Sequence, residues 1–255
     1  RLCRDWSSDV CSSDLTAGSL LGLTAVWWTA AAIVGREIIL PGPPAVLRAL
    51  IGLLARRDFW FHLSATILRG LGGFSLSYAA GMLLGLACGL SRPLDVFFRP
   101  LLVAVRSTPS MAIILLALIW FRSGTVAIFV TFLLVFPLVS QDIAEGIRGI
   151  DRELVEMARV YCVSRLRRLS DLYLPAILPY MAAGATNGLG LTWKVTIAAE
   201  VLAGPHWGIG ARMDAARVYL NTSEVFAWTV VVVLIGYLCD RALEILLQKK
   251  MLSWK

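Results

Sequence analysis

Residues 150–184 read IDRELVEMARVYCVSRLRRLSDLYLPAILPYMAAG, a charged segment that leads directly into an apolar one. Five apolar side chains follow the i, i+3, i+4, i+7, i+8 spacing of one face of an amphipathic helix: Leu154, Met157, Ala158, Tyr161 and Cys162. Asp151 stands where a helix N-cap is expected, and Ser164 stands where it could cap a second short helix. Pro175 suits the first turn of the helix that follows, because its missing N–H needs no partner there. The stretch therefore predicts two short helices followed by a long apolar one.

The apolar content of the whole chain indicates that the long helix lies in a membrane. The 255 residues are 58% apolar and the mean hydropathy is +0.75, which is too high for an ordinary soluble domain. Crossing a bilayer takes about twenty mostly apolar residues, and six stretches come close: roughly 18–36, 67–90, 100–121, 124–142, 175–202 and 225–245. We predict an all-α fold, a polytopic membrane helical bundle of about six transmembrane helices.

Arginine and lysine predict which ends face the cytosol, because short cytosolic loops are rich in them. The loop between the fourth and fifth predicted spans contains six arginines: Arg148, Arg152, Arg159, Arg165, Arg167 and Arg168. Some arginines fall on the opposite side, but the longest basic segments favour two cytosolic termini in a multi-pass plasma or inner membrane protein. The net charge of +7 suits contact with anionic lipid, and the sequence indicates no nucleic-acid partner.

The first fifteen residues, RLCRDWSSDVCSSDL, differ from the rest of the chain. They lack the basic start, apolar middle and small-residue cleavage site of a secretory signal. Reverse translation of Asp5–Leu15 resembles a common short-read sequencing adapter, and a disordered cytosolic tail is the alternative. We expect residues 1–15 to be non-native, a few native N-terminal residues to be missing, and residues 16–255 to form one domain.

Catalytic and metal-binding patterns are missing from the sequence after residue 15. Its three cysteines are widely spaced, and His62 and His206 stand far apart. An enzyme would need a nucleophile–base pair or a metal cluster, so we predict no catalytic residue, no metal and no cofactor. The sequence also contains no GxxxxGK[ST] phosphate loop. Any ATP hydrolysis linked to this chain is therefore expected on a separate subunit.

Two glycine rows predict close packing between helices. Gly81, Gly85 and Gly89 lie four residues apart in the second predicted span, and Gly184 and Gly188 repeat this spacing in the fifth. Small residues at this spacing let two helix backbones approach closely. We interpret both rows as packing surfaces within the bundle rather than as residues that contact a solute.

The charged stretch resembles the EAA loop of binding-protein-dependent ABC importer permeases. That loop has the pattern E-A-A, three residues, G, nine residues, I-x-L-P. The residues at the same spacing here are Glu156, Met157 and Ala158, then Cys162, then Leu172, Leu174 and Pro175. Three further stretches, at 40–50, 98–121 and 188–204, are similar to the nitrate/sulfonate/taurine-type branch of that family.

This resemblance implies a permease (transmembrane) domain that works with a second permease copy, two cytosolic ATPase subunits and an external solute-binding protein. It also implies that the loop at about 151–175 docks into a groove of the ATPase, with the Glu156 carboxylate near a basic group there. Periodicity alone leaves a second hypothesis equally open, in which the two short helices lie on the inner membrane surface.

Two positions depart from the family pattern. Met157 replaces a small Ala and would enlarge the docking face, although a flexible Met adapts to an irregular groove. Cys162 replaces the Gly at which the chain turns between the two helices. A positive φ costs a residue other than Gly about 1 kcal/mol or more, so we predict a gentler, more continuous helix break at Cys162.

Several polar residues stand within or beside the fifth predicted span. Asn187 and Lys194, seven residues apart, share one helix face. They either line a pathway that favours an anionic solute, or Lys194 extends toward the interface or pairs with a carboxylate of another helix. Glu200 is expected to be structural, and residues 208–210 to form an external turn near a docked binding protein.

Together these patterns predict the membrane subunit of an ABC importer for a small anionic or organic solute, such as nitrate, a sulfonate or taurine. The alternative is a stand-alone secondary transporter with Lys194 in the substrate path. Such transporters often contain internal repeats with interrupted helices, and the sequence shows no convincing repeat.

Overall fold

A computed structural model describes residues 5–252, with the backbone alone described at 5–17, 20, 152, 165, 166, 169 and 247–252. These described residues form helices joined by short turns. The helices are α1 (Asp5–Val34), α2 (Pro43–Leu54), α3 (Arg57–Leu90), α4 (Arg92–Ser107), α5 (Ser110–Trp120), α6 (Ser123–Arg148), α7 (Arg152–Val160), α8 (Arg165–Arg168), α9 (Leu174–Ala203), α10 (Ile209–Val218) and α11 (Thr222–Leu252). Leu169–Tyr173 form a π-helical turn between α8 and α9. The predicted all-α membrane fold is confirmed.

Three helices of the described chain are long and apolar enough to cross a membrane: α3, α6 and the Thr222–Leu246 part of α11. A fourth crossing results if α4 and α5, which are bent by 98° at the break between them, count as one. This differs from the six predicted spans in three places. The apolar part of α1, Leu21–Val34, is short, and α9, at the span expected at 175–202, is not among the helices that qualify. The span expected at 100–121 is broken in its middle.

Proline explains the break between α4 and α5. A residue that precedes proline is disfavoured in the helical region, and Thr108 has the extended angles φ −75° and ψ 128°. Pro109, at φ −57° and ψ 131°, then forms the N-cap of α5. The apolar run continues through this point, so hydropathy alone predicts one span where the backbone forms two helices.

The chain divides into two compact units. The first contains the described residues up to Trp60 together with Met213–Val231. In it the Trp27 indole N–H donates to the Pro41 carbonyl at 3.1 Å, and the rings of Phe59 and Trp228 stack with centroids 5.2 Å apart. Aromatic packing of this kind fixes the start of α3 against the start of α11.

The second unit contains Phe61–Arg212 and the described residues from Val232 onward. Its core lies between α5, α6 and α9, where apolar side chains are almost fully buried: Ile113, Ile114, Ala117, Val126, Ala127, Val130, Val195 and Ala199. A second cluster between α6 and α9 includes Val135, Val139 and Ile143. Helix α6 is therefore the centre of this unit.

The glycines of α3 lie against α6. An ideal Cβ placed on Gly81 would lie 2.8 Å from the Val139 Cβ, and one on Gly85 would lie 2.6 Å from the Ser140 carbonyl oxygen. At Gly89 the same atom would lie 2.6 Å from the Ile147 Cδ1. These separations leave no room for a side chain, so the helix backbones are as close as glycine allows.

The two glycines of α9 also face neighbouring helices. An ideal Cβ on Gly184 would lie 3.3 Å from the Asp142 Oδ2 of α6. One on Gly188 would lie 3.1 Å from the Val135 Cγ1 of α6 and 3.3 Å from the Phe74 Cε2 of α3. Gly188 thus lies where three helices meet.

Candidate functional site

Helix α7 begins at a side-chain cap. The Asp151 carboxylate accepts a hydrogen bond of 2.9 Å from the Glu153 N–H, which satisfies one of the N–H groups left open at a helix start. The N-cap predicted at Asp151 is confirmed. The cap fixes the point at which the chain leaves α6 and enters the charged segment of residues 151–175, called the EAA segment below.

Helix α7 ends in a tight left-handed turn at Cys162, which has φ +52°. The Cys162 N–H donates to the Arg159 carbonyl at 2.9 Å, and the Val163 N–H donates to the Ala158 carbonyl at 3.0 Å. This pair of bonds is a Schellman motif, in which glycine normally holds the left-handed position. The predicted gentle break at Cys162 is therefore wrong: the chain forms the glycine-type turn with a cysteine and accepts strain of about 1 kcal/mol or more.

The apolar residues of α7 and its C-cap point in two directions. Ala158 is 8% exposed and faces the body of the unit, whereas Tyr161 is 77% exposed. Leu154 and Met157 also lie at the surface. The amphipathic pattern thus forms one buried contact and one open apolar surface, with Glu156 beside that surface and exposed.

The second part of the EAA segment runs into α9 without a break. The Ser164 hydroxyl accepts a bond of 3.4 Å from the Arg167 N–H, which places Ser164 at the start of α8 as predicted. Helix α8 continues through the π-helical turn Leu169–Tyr173 directly into α9. Pro175 has no N–H to donate within this continuous helix, and a wide turn is a common way to accommodate such a loss. Where we expected a separate second helix, the structure has one rod.

The motif leucines lie along this rod. Leu172 is half-buried and Leu174 is exposed, while Ile177, one turn further on, is buried in the core. From Ile177 onward the rod is therefore packed into the core, and the EAA segment extends from this packed part.

A cavity of about 330 Å³ lies where α7 meets the ends of α3 and α6. Its wall includes Glu156 and Arg159 of α7, Gly89 of α3 and Arg148 of α6. Among the side chains that the structure describes, no ion pair joins Glu156 to a basic group. The carboxylate is therefore available to a basic group outside the described chain.

A larger cavity of about 450 Å³ lies between α4, α5, α6 and α9. Lys194 of α9 and Arg106 of α4 both line it, together with Thr108 and Ser110 at the break between α4 and α5. The rest of the wall is mainly aliphatic. The sequence singled out Lys194 but not Arg106, and the structure brings the two cations to one cavity.

Asn187 lies on the same exposed face of α9 as Lys194 but outside that cavity. The predicted shared face is confirmed, since Ala183, Asn187 and Lys194 are all exposed on α9. This face places polar groups along one side of an otherwise apolar helix of 30 residues.

The sequence profile of the family described as "Binding-protein-dependent transport system inner membrane component" matches residues 80–251. The chain belongs to this family of ABC importer permeases. The match includes the EAA segment, the 450 Å³ cavity and most of the second compact unit. Membership favours the importer hypothesis over the stand-alone secondary transporter.

Curated relatives agree with this assignment over nearly the whole permease. The putative aliphatic sulfonates transport permease protein SsuC of Escherichia coli K12 is 35% identical over 92% of this chain and 89% of its own. The taurine transport system permease protein TauC of the same organism is 30% identical over 94% of this chain and 89% of its own length. The bicarbonate transport system permease protein CmpB of Synechococcus elongatus is 28% identical over 93% of this chain and 89% of its own length.

A solved structure supports the fold of the permease. A chain of the MetNI methionine ABC transporter, in an inward-facing conformation, superposes with a TM-score of 0.57 at 20% sequence identity. The superposition covers 78% of this chain and 96% of that one. The helical arrangement is therefore that of an ABC importer permease.

A buried carboxylate organises the end of α9 in the permease. The Glu200 side chain is fully buried and receives a bond of 2.7 Å from the Arg69 guanidinium of α3. The Thr66 hydroxyl donates to it at 2.8 Å and the Gly210 N–H at 3.0 Å. A buried carboxylate needs such partners because an unpaired charge is costly away from water. The structural role expected for Glu200 is confirmed.

The same network holds the turn that follows α9. Arg69 also donates to the Trp207 carbonyl at 2.6 Å, and the Gly208 N–H donates to the His62 Nδ1 at 3.0 Å. The Ile209 N–H donates to the Thr66 hydroxyl at 2.8 Å. The turn expected at 208–210 lies earlier in the chain: residues 204–208 connect α9 to α10 and are attached to α3, and α10 begins at Ile209.

Sequence reasoning missed Arg69, Thr66 and His62 as partners of this region, and missed Arg106 beside Lys194. Each pair is separated by many residues in sequence; Arg69 and Glu200 are 131 apart. One signal was present, because a buried carboxylate in an apolar span requires a cation nearby. The sequence could not choose which arginine supplies it.

Proposed function

We propose that this permease moves a small anionic solute and is driven by a separate cytosolic ATPase that binds the EAA segment. The observation that carries the proposal is the open apolar surface of Leu154, Met157 and Tyr161 beside Glu156, which forms no ion pair with any side chain that the structure describes. An exposed apolar surface next to a charge that lacks a partner is typical of a docking site.

The construction of the EAA segment supports transmission of movement from the ATPase. The Asp151 cap, the Schellman turn at Cys162 and the buried Ala158 fix α7 to the body of the unit. The continuous rod from α8 through the π-helical turn then reaches Lys194 on α9. A displacement of α7 by an attached partner is therefore carried to the face that bears Asn187 and Lys194, as in other rigid-body switches.

Three relatives support the solute class. Their names refer to aliphatic sulfonates, taurine and bicarbonate, each of which presents an anionic group. The cations Arg106 and Lys194 in one cavity agree with an anionic solute. The solute is then delivered by an external binding protein near the turn at 204–208 and the start of α10.

Orientation and assembly are part of the proposal. The EAA segment and both chain termini lie in the cytosol, as the arginine-rich loop between α6 and α9 favours. Two copies of the permease pair, with the exposed face of α9 toward the pathway. Co-expression of two differently tagged copies tests this pairing, and absence of one copy from a purification of the other would exclude a homodimer.

The experiment that tests the proposal is co-purification of the permease with its cognate ATPase, using the wild type and Glu156→Arg. We expect the wild type to retain the ATPase and to show hydrolysis stimulated by the binding protein. Glu156→Arg should lose the ATPase subunit or its stimulation. The new arginine would repel the basic group of the ATPase that the carboxylate is expected to meet.

Glu37→Arg is the matched control, since it is the same charge reversal at an exposed position in the other compact unit. It should retain the ATPase. Retention of the ATPase by folded Glu156→Arg at the wild-type level, with normal stimulation, would contradict docking through the EAA segment.

A further inference from the structure

Two cations, Arg106 and Lys194, line the 450 Å³ cavity, and no carboxylate is among its lining residues in the described chain. Arg106 also lines the neighbouring cavity of about 180 Å³, together with Arg99, Arg148, Asp95 and Glu145. Arg106 therefore lies between the two cavities, and the two carboxylates line only the smaller one, away from Lys194.

Both cations are held in place by the fold. The Arg106 guanidinium donates to the side-chain oxygen of Gln141 on α6. Lys194 follows the buried Trp193 and precedes the buried Val195 on α9, which fixes the direction in which it leaves the helix. Among the described side chains Lys194 has no ion-pair partner.

Two like charges on a largely aliphatic wall repel each other, and the repulsion is stronger where water is scarce. Ile114, Leu134 and Leu138 belong to that wall. An anion between the two cations would convert this repulsion into attraction and form charge-assisted hydrogen bonds with both. The volume is also within the range of pockets that hold small ligands.

The break between α4 and α5 adds neutral donors to the same cavity. Thr108 and Ser110 belong to its wall; the Thr108 hydroxyl donates to the Ala104 carbonyl at 2.7 Å, so the Ser110 hydroxyl is the neutral side-chain donor here. Helix α5 begins there with no side-chain cap; the Ala112 N–H is bonded to the Pro109 carbonyl, and the N–H groups of Ser110 and Met111 remain open to an acceptor. Two cations with one hydroxyl and backbone amide donors form a donor set suited to an oxyanion.

We propose that this cavity is a subsite of the permease that holds the sulfonate or carboxylate group of the solute during passage. The proposal rests on the proposed function, because it assigns a place within the pathway to the anionic solute. Lys194 and Arg106 contact the oxyanion, and the aliphatic wall contacts the remainder of the solute. The subsite selects for negative charge in the membrane itself, in addition to any selection by the binding protein.

The first test measures solute uptake by the permease–ATPase complex in phosphatidylcholine liposomes, with the binding protein supplied. Radiolabelled methanesulfonate, taurine and bicarbonate are the probes. Lys194→Gln and Arg106→Gln should each reduce uptake of the transported probe by about tenfold or more, the usual effect of losing a hydrogen bond to a charged group. Lys194→Arg keeps the charge and should restore most of the uptake.

Retention of the ATPase distinguishes the two proposals. Lys194→Gln should still co-purify with the ATPase, because Lys194 lies outside the EAA segment. Arg48→Gln, which removes an exposed cation from α2, is the matched control and should leave uptake unchanged. Wild-type uptake by folded Lys194→Gln, or an equal loss in Arg48→Gln, would overturn the subsite.

A binding measurement makes the test independent of transport. Methanesulfonate or sulfate should raise the thermal unfolding midpoint of the detergent-purified wild type above a sodium chloride control of equal ionic strength, because a ligand stabilises the state that it binds. The shift should disappear in Lys194→Gln. If the wild type neither transports nor stimulates an ATPase, the proposed function fails, and this shift still decides whether the cavity binds anions.

A lipid phosphate is the other source of an oxyanion. Liposomes that also contain phosphatidylglycerol separate the two sources. If Lys194→Gln changes only the dependence on phosphatidylglycerol and leaves uptake in pure phosphatidylcholine at the wild-type level, the occupant is a lipid headgroup and the solute subsite is overturned.

Discussion

At the scale of single residues, the left-handed turn at Cys162 shows how the fold can override a local preference. Only two described residues other than glycine have a positive φ, Cys162 at 52° and Leu220 at 57°. Both lie where a helix ends in the same pattern of backbone bonds. The turns form because the following chain must reverse direction there, and each costs about 1–2 kcal/mol.

We predict that Cys162→Gly stabilises the EAA segment. The change removes the strain of the left-handed position. Glycine also makes the unfolded chain more flexible, which offsets part of this stabilisation. The net stabilisation should be about 0.5–1 kcal/mol. Amide hydrogen exchange across residues 152–163 measures it and should slow down. Leu220→Gly is the parallel change at the end of α10 and should slow exchange there but not in α7. Faster exchange around Cys162→Gly would contradict the strain assignment.

We predict that Glu200→Gln destabilises the second compact unit strongly. The side chains of Glu200 and Arg69 are 0% and 15% exposed, and removing one partner of a buried ion pair costs about 3–5 kcal/mol because the other charge stays buried. Thr66→Val should cost less, about 1–3 kcal/mol, as the loss of one buried hydrogen bond does. Thermal unfolding in detergent measures both.

Glu37→Gln supplies the control for this prediction, because its ion pair with Arg48 is exposed and 4.0 Å long. Exposed pairs contribute about 0–1 kcal/mol. Equal unfolding midpoints for Glu200→Gln and Glu37→Gln would show that the buried pair does not hold α3 and α9 together.

At the scale of helices, the contact between α3 and α6 depends on residues with little or no side chain. Gly73, Ser77, Gly81, Gly85 and Gly89 recur every four residues on α3, and the Ser77 hydroxyl bonds the Gly73 carbonyl of its own helix at 2.6 Å. Van der Waals contact between closely packed backbones is a main source of helix association in lipid. The row is about two helix turns longer than the three glycines predicted from sequence, because Gly73 and Ser77 extend it toward the start of α3.

We predict that Gly85→Ala separates α3 from α6. Its Cβ would lie 2.6 Å from a backbone oxygen of α6, and a backbone atom cannot move aside as a side chain does, so overpacking should cost about 1–3 kcal/mol. Gly72→Ala, on the same helix but with no atom within 4 Å of its Cβ, is the control. The yield of folded protein and the unfolding midpoint should fall in Gly85→Ala alone; an equal effect of both would point to a general effect of the helix.

At the scale of the whole molecule, the described chain combines a packed unit around α6 with an EAA segment attached to it through α9. Helix α6 is buried along much of its length, whereas many large apolar side chains on α3, α5 and α11 remain exposed. Exposed apolar helix surfaces are expected where lipid or a second permease copy provides the contact. The permease is therefore a component whose surfaces are completed by lipid and by its partners.

The assignment of residues 1–15 as non-native remains a prediction. Residues 1–4 lie outside the described residues, and α1 begins at Asp5. We predict that deletion of residues 1–15 leaves uptake and ATPase stimulation unchanged, since the family profile begins at residue 80. Uptake by liposomes that contain the shortened permease measures this, and a loss of uptake at equal protein content would show that the segment belongs to the working protein.

Much of the fold and part of the site could be predicted from the sequence, because these features are set within single helices. Hydropathy identified α3, α6 and α11 as helices able to cross the membrane, and the spacing from Glu156 to Pro175 revealed the resemblance to the EAA loop. The caps at Asp151 and Ser164 were also predictable, since a cap acts within three residues. The break at Pro109 and the continuous rod from α8 to α9 were not predicted, although both depend on local proline geometry, because hydropathy does not register backbone turns.

The sequence by itself determined that this protein is an all-α membrane protein, because composition and periodicity act over a few turns of one helix. Its resemblance to the EAA loop of importer permeases, carried by the spacing from Glu156 to Pro175, added the function. Only the tertiary structure decided which distant residues meet. It paired Glu200 with Arg69, brought Arg106 to the cavity of Lys194 and imposed a left-handed turn on Cys162. The physical reason is that a buried or clustered charge requires a partner but does not specify it; the packing of helices far apart in sequence does.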